Sequence, residues 1–217
     1  MKRTLYSLML SENVVRQVDQ LAHKLGISRS ALINQILADY VDYTTPERRI
    51  HDVYSAVESL VRSSCELVPF VAPNAMTMSL KSSLEYKYRP TVKYEVELYR
   101  SGEQPQFGTL SVVFRTQSAS LIEHMTAFFR LWKYIEDRHL APRLGGAQVD
   151  YVLYDGRFVR SICRPQCDCT AQALAEAISS YIQLFDRCMK GFLAERMDAK
   201  QVEQAWLQQM SGQLLLL

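Results

Sequence analysis

The sequence predicts two folds in series: a short β-α-α segment shaped to intertwine with a second copy of itself, then a larger α+β domain with an antiparallel sheet of about five strands and several helices. Three observations lead there. Within the first 43 residues apolar side chains recur first with a period of two and then at helical spacing, with little between them but caps and a turn. Between residues 76 and 163, valine- and tyrosine-rich runs bounded by Pro, Gly and Asn read as grouped strands. The strands are grouped and the helices follow them, one after the first three strands and the others after the closing hairpin, which is the α+β pattern. With 217 residues and 48% hydrophobic content the chain can bury one small core and one large one. The expected division is 1–43, a linker at 44–49, and 50–217.

In the opening strand Tyr6, Leu8 and Leu10 share one face, and a lone strand leaves its edge amides unpaired. Ser11 is placed to cap a first helix from about Glu12 to Leu25, in which Val14, Val15, Val18, Leu21, Ala22 and Leu25 repeat before Gly26 stops it. Ser28 caps a second helix with the stripe Ala31, Leu32, Ile36, Leu37, Tyr40 and Val41, expected to end near Tyr43. A segment this small rarely sustains a core alone. Two copies pairing strand to strand solve both problems, with Tyr6, Leu8, Leu10, Leu32 and Ile36 forming the shared core.

The runs L-x-L-S-E-x-V at Leu8–Val14 and L-G-I-S-R-S-A-L-I at Leu25–Ile33 resemble the ribbon-helix-helix DNA-binding family, typified by the Arc and MetJ repressors and the CopG-type plasmid regulators. The resemblance covers residues 1 to about 43, a fifth of the chain. It implies an obligate homodimer in which two strands form an antiparallel ribbon that enters the major groove of double-stranded DNA, while the second helix points its N-terminus at a phosphate. Members serve as transcriptional regulators and repressors, and in copy control, partition, transfer or toxin neutralisation on plasmids and other mobile elements.

Opposite parity places Arg3, Leu5, Ser7 and Met9 on the face that meets base edges. Here the chain departs from the family's polar reading triplet: Leu5 and Met9 have no strong hydrogen-bonding group, so Ser7 and Arg3 alone can read hydrogen bonds, and the apolar pair is suited to thymine methyls. The competing reading buries Leu5 and Met9 under another part of the protein or a protein partner, making the ribbon a dimerisation device within an assembly module. Ser28, Arg29 and Ser30 combine free amides, hydroxyls and a positive charge as a phosphate clamp, or Ser28 is an ordinary cap. Lys2 adds charge beside Arg3.

Beyond the linker, Thr45-Pro46 opens a third helix through Ile50, Val53, Val57, Leu60 and Val61. Strands are expected at Met76–Arg89, Val92–Arg100 and Gly108–Arg115, joined as a meander, with S-G-E-Q-P-Q as the second connection. Ser118 caps a helix carrying Leu121, Ile122, Met125, Phe128, Phe129, Trp132 and Ile135, read as the core helix and, as the alternative, as the wall of a ligand pocket. Gln148–Cys163 holds a hairpin turning at Asp155-Gly156. A long helix spans Thr170–Met197, and Asp198 caps a last one through Trp206.

Net charge is only +2, with seven Lys/Arg against five Asp/Glu in residues 1–50, so nucleic-acid binding must rely on local placement and on doubling by a dimer. The absence of a bilayer-length apolar run and of a secretory leader leads to an expectation of a cytoplasmic protein with no membrane contact. Five cysteines, an odd number, argue against a disulfide framework. Cys163, Cys167 and Cys169 offer three thiolates to a metal, but their spacing fits no pair of C-x-x-C knuckles and free thiols are the expectation. No phosphate-binding loop, dinucleotide fingerprint, H-E-x-x-H or G-x-S-x-G is present, and His23, His51, His124 and His139 are scattered, so no enzyme chemistry and no cofactor is expected. A protein or small-molecule partner for residues 50–217 stays open.

Overall fold

The computed structural model describes residues 5–62, 67–70, 77–85, 89–100, 106–165 and 169–210. It contains two compact units, 1–49 and 50–217. The terminal run of leucines and most of the S-G-E-Q-P-Q connection lie outside the described residues.

In the first unit, α1 (Glu12–Leu25) and α2 (Arg29–Tyr40) pack on each other across a tight turn. Gly26 supplies the turn: at φ 65° it adopts the left-handed conformation, its amide donates to His23 O, and the amide of Ile27 donates to Ala22 O at 3.0 Å. That pair of bonds closes the helix end as a Schellman motif. Ser11 occupies the N-cap position, but its hydroxyl accepts no capping hydrogen bond. Ser28 does cap, accepting from Ala31 N at 3.2 Å. α2 stops three residues short of the expected Tyr43 because Asp42 turns left-handed at φ 53° and Tyr43 N returns to Ala38 O at 2.8 Å.

Residues 5–10 form no strand ladder in the single chain. A ladder exists only between neighbouring strands, and the segment has none of its own to pair with. The buried apolar residues of this unit are Ala22, Leu32 and Ala38.

α3 (Pro46–Arg62) begins inside the expected linker, so the joint is itself a helical turn; Thr45 caps it by accepting from Arg48 N. It buries Ile50, Val53, Val57 and Val61. The sheet of the second unit has six strands: β1 (Val68–Phe70), β2 (Thr77–Ser83), β3 (Thr91–Leu98), β4 (Gln106–Phe114), β5 (Tyr151–Tyr154) and β6 (Arg157–Cys163). All neighbours are antiparallel, in the order β1-β2-β3-β4-β6-β5. The expected three-strand meander is β2, β3 and β4, paired in that order. The chain then leaves the sheet through α4 (Ala119–His139) and returns with β5 on the outside and β6 against β4. β1, three residues long, is too short to register as a periodic run. The Asp155-Gly156 turn joins β5 to β6 as expected, with Gly156 at φ 78°.

Alternation decides which face is covered. Val92, Tyr94, Val96 and Leu98 of β3 are fully buried, while Lys93, Glu95 and Glu97 point the other way. α4 and α5 (Ala171–Leu193) cover the buried face. Phe185 of α5 is the hub: its ring meets those of Tyr94, Phe128, Phe129, Trp132, Phe158 and Tyr181. Phe128, Phe129 and Trp132 are wholly buried, so the aromatic stripe of α4 is core and not a pocket wall. α5 ends before Met197 because the chain turns left-handed at Glu195 and lays Met197 over Gly191, a site with no side chain in the way. α6 (Ala199–Met210) opens on a reciprocal cap, Asp198 accepting from Gln201 N and the Gln201 side chain accepting from Asp198 N, both at 2.8 Å. It runs past Trp206 to Met210.

Candidate nucleic-acid interface

Leu5, Ser7 and Met9 are all exposed, as are Ser28, Arg29 and Ser30; Lys2 and Arg3 lie outside the described residues. Leu5 and Met9 are 95% and 101% exposed, against 53% for Leu8 and 44% for Leu10, so the two parities differ in the expected direction. Tyr6, at 81%, does not follow its parity in the single chain. Of the other residues expected in a shared core, Leu32 is buried within the chain and Ile36 is 46% exposed.

Fourteen of the nineteen exposed large hydrophobic side chains among the described residues fall between Leu5 and Tyr43. A two-helix unit with three buried apolar residues beside so much uncovered apolar surface is not a finished core. Val14, Leu21, Leu25 and Ile27 from α1 and the following turn, and Ile36, Leu37, Tyr40 and Val41 from α2, extend this surface well past the strand.

At the start of α2 the Ser28 hydroxyl satisfies the Ala31 amide, while the amides of Arg29 and Ser30 sit in the first turn, where no intrahelical acceptor exists. The Arg29 guanidinium is not idle: its Nε and Nη2 both meet the Asp19 carboxylate of α1. With both side chains about half exposed, such a pair is worth roughly 0.2–1 kcal/mol, little enough for a phosphate to displace it. Asp19 has no signal in the sequence, because the two residues are ten positions apart and meet only through the turn at Gly26. Arg16 pairs with Glu12 at 3.3 Å and Arg48 with Asp39, so the cations of this unit are tempered by acidic neighbours.

Of the cysteine cluster, Cys163 and Cys169 are among the described residues. Cys163 is buried with its thiol 3.8 Å from the Gln148 carbonyl, Cys169 is half-buried and Cys167 lies outside the described residues; among the described residues no group of three metal-ligating side chains forms. Burial pushes the Cys163 thiol up, and that of Cys188 up to about 11. Since the thiolate is the reactive form, both should resist a thiol-alkylating reagent in the folded protein and react promptly once it is denatured. Peptide mass spectrometry of the alkylated protein checks this, and fast native labelling of Cys188 would contradict its burial. Glu123 and His124 are exposed on α4 and form no site with each other. Among the described residues no helix is long and apolar enough to cross a membrane.

The family model that matches is that of the ribbon-helix-helix proteins of the CopG family, over residues 7–44. No curated protein and no solved structure matches the chain. The match begins in the segment that carries Ser7 and Met9, runs through both helices and ends at the joint to α3. The N-terminal segment is thus a ribbon-helix-helix region of the CopG type, followed by an α+β region built on a six-stranded antiparallel sheet.

Proposed function

We propose that the protein is a dimeric DNA-binding transcription regulator. In this reading residues 1–43 of two copies pair through their opening strands into a ribbon that enters the major groove, and residues 50–217 add oligomerisation or the sensing of a protein or small-molecule partner. The family match to residues 7–44 supports the DNA-binding role. The single observation that carries the dimer is the apolar surface from Leu5 to Tyr43, which has too little core beneath it to stand in water unaided. Repression, or an accessory role in maintaining a plasmid or mobile element, are uses of the same machinery.

A second reading, an assembly module that uses the ribbon only to dimerise, is favoured by the apolar character of Leu5 and Met9. The two differ in salt-dependent DNA affinity, which the second lacks. In a titration of random-sequence duplex at several salt concentrations, Arg29→Ala should weaken all sequences alike. It should also lower the slope of log K against log[salt] by about 0.9 for each phosphate that Arg29 neutralises in the wild type. Asp19→Asn, which removes the competitor for Arg29, should raise affinity about two- to fivefold per protomer and leave the slope unchanged. No affinity at low salt removes the DNA-binding reading; an Asp19→Asn variant that binds more weakly removes Arg29 from the interface.

A further inference from the structure

We propose that the outward face of residues 5–9 recognises the C5-methyl groups of thymine, so that these residues select sites by methyl positions and leave any hydrogen bond to guanine to Arg3. This rests on the DNA-binding reading above and adds what the surface recognises.

Exposure assigns the face. Leu5 and Met9 are more exposed than any other large hydrophobic side chain among the described residues, whereas Leu8 and Leu10, at 53% and 44%, are about half as exposed. The two residues lie four positions apart, about 13 Å along an extended strand, with Ser7 midway on the same face. Chemistry assigns the ligand. An isobutyl group and a thioether cannot make the bidentate hydrogen bonds that single out guanine or adenine, and one serine hydroxyl offers no fork. Thymine alone among the four bases carries a methyl group in the major groove, and apolar contact is what that methyl accepts. Met9, unbranched and flexible, can follow the methyl over more than one base step. A two-fold ribbon presents this apolar pair with its central hydroxyl twice, once to each half-site.

The test uses the full-length protein and duplexes it enriches from a random-sequence pool at low salt. Those duplexes are remade with deoxyuridine in place of thymine, which deletes the methyl and keeps every base-edge donor and acceptor. Wild type should bind the uracil duplexes more weakly by about fourfold for each contacted methyl, the equivalent of one buried methylene. The Leu5→Ala, Met9→Ala double variant should bind both versions alike while keeping the wild-type salt slope. Because both side chains are exposed, their truncation leaves the fold intact. Equal binding of thymine and uracil duplexes by wild type overturns the methyl reading and leaves DNA binding standing. A double variant that keeps the full uracil penalty overturns the assignment to these two residues. If no duplex is enriched even at low salt, the DNA-binding reading fails and this one with it.

Discussion

In the proposed dimer, Leu8→Asp should leave a monomer and abolish DNA binding together with it. Leu8 is half exposed in the single chain, and the proposed ribbon turns its parity toward the helices, where Leu32 is already buried. In a two-strand ribbon each Leu8 enters a core made by both copies, so one substitution introduces two carboxylates, each without a partner. An unpaired ionised group in an apolar setting costs several kcal/mol or forces its own protonation, and here the cost is incurred twice per dimer. Few small dimers can absorb that loss, because total stability is itself about 5–15 kcal/mol. Sedimentation equilibrium should report the monomer mass, and the DNA titration should lose its signal at every salt concentration. Ser7→Ala, one residue away on the opposite parity, is the control: it should leave the mass unchanged and alter only the preference among sequences. A Leu8→Asp protein that stays dimeric with wild-type affinity for itself sinks the intertwined arrangement.

The sequence is most legible where local chemistry decides the outcome. α1 starts and stops where the Glu12–Leu25 stripe and Gly26 place it, and Ser28, Ser118 and Asp198 all cap the helices expected of them. These features depend on neighbours within four residues, so one stretch of chain contains all the information. Strand order is less legible. Nothing within Tyr151–Cys163 says which arm of the hairpin meets β4, and it is β6, the longer and more buried arm, that takes the inner place. The opening segment is the extreme case: residues 5–10 pair with no strand among the described residues, and the neighbour that the proposed ribbon gives them would come from a second copy. Buried polar groups are illegible for a related reason. Asp186 sits on α5 among apolar residues and accepts from Tyr94 at 2.8 Å, Ser82 at 3.1 Å and Lys190 at 2.6 Å. Two of those partners lie about a hundred positions away, and periodicity carries no trace of them.

The same blindness covers the pair on which the second unit should depend most. Arg160 of β6 is fully buried on the core face, and Glu136 of α4 is 1% exposed. Arg160 Nε forms an ion pair with Glu136 Oε2 at 3.4 Å, and the Tyr151 hydroxyl donates to the same oxygen at 2.7 Å. The guanidinium carbon lies 4.6 Å from the centre of the Tyr181 ring, whose hydroxyl accepts from Trp132 Nε1 at 2.8 Å. Burial opposes the charge on Arg160, but the Glu136 carboxylate, together with the smaller contributions of Tyr181, Tyr151 and Cys163, outweighs it and holds the guanidinium protonated. Glu136→Leu removes that compensation and leaves a cation with no way to discharge, so it should cost about 3–5 kcal/mol and shift the denaturation midpoint of residues 50–217 accordingly. Most of the loss should return in the Glu136→Leu, Arg160→Met double variant, because replacing both charges with apolar groups of similar volume is close to neutral. The residual deficit should be about 1 kcal/mol, the worth of the acceptor that Tyr151 loses. Urea titrations of wild type, both single variants and the double variant give the coupling free energy directly. A Glu136→Leu protein within about 1 kcal/mol of wild type would show that Arg160 is held by its other neighbours, the Tyr181 ring first among them.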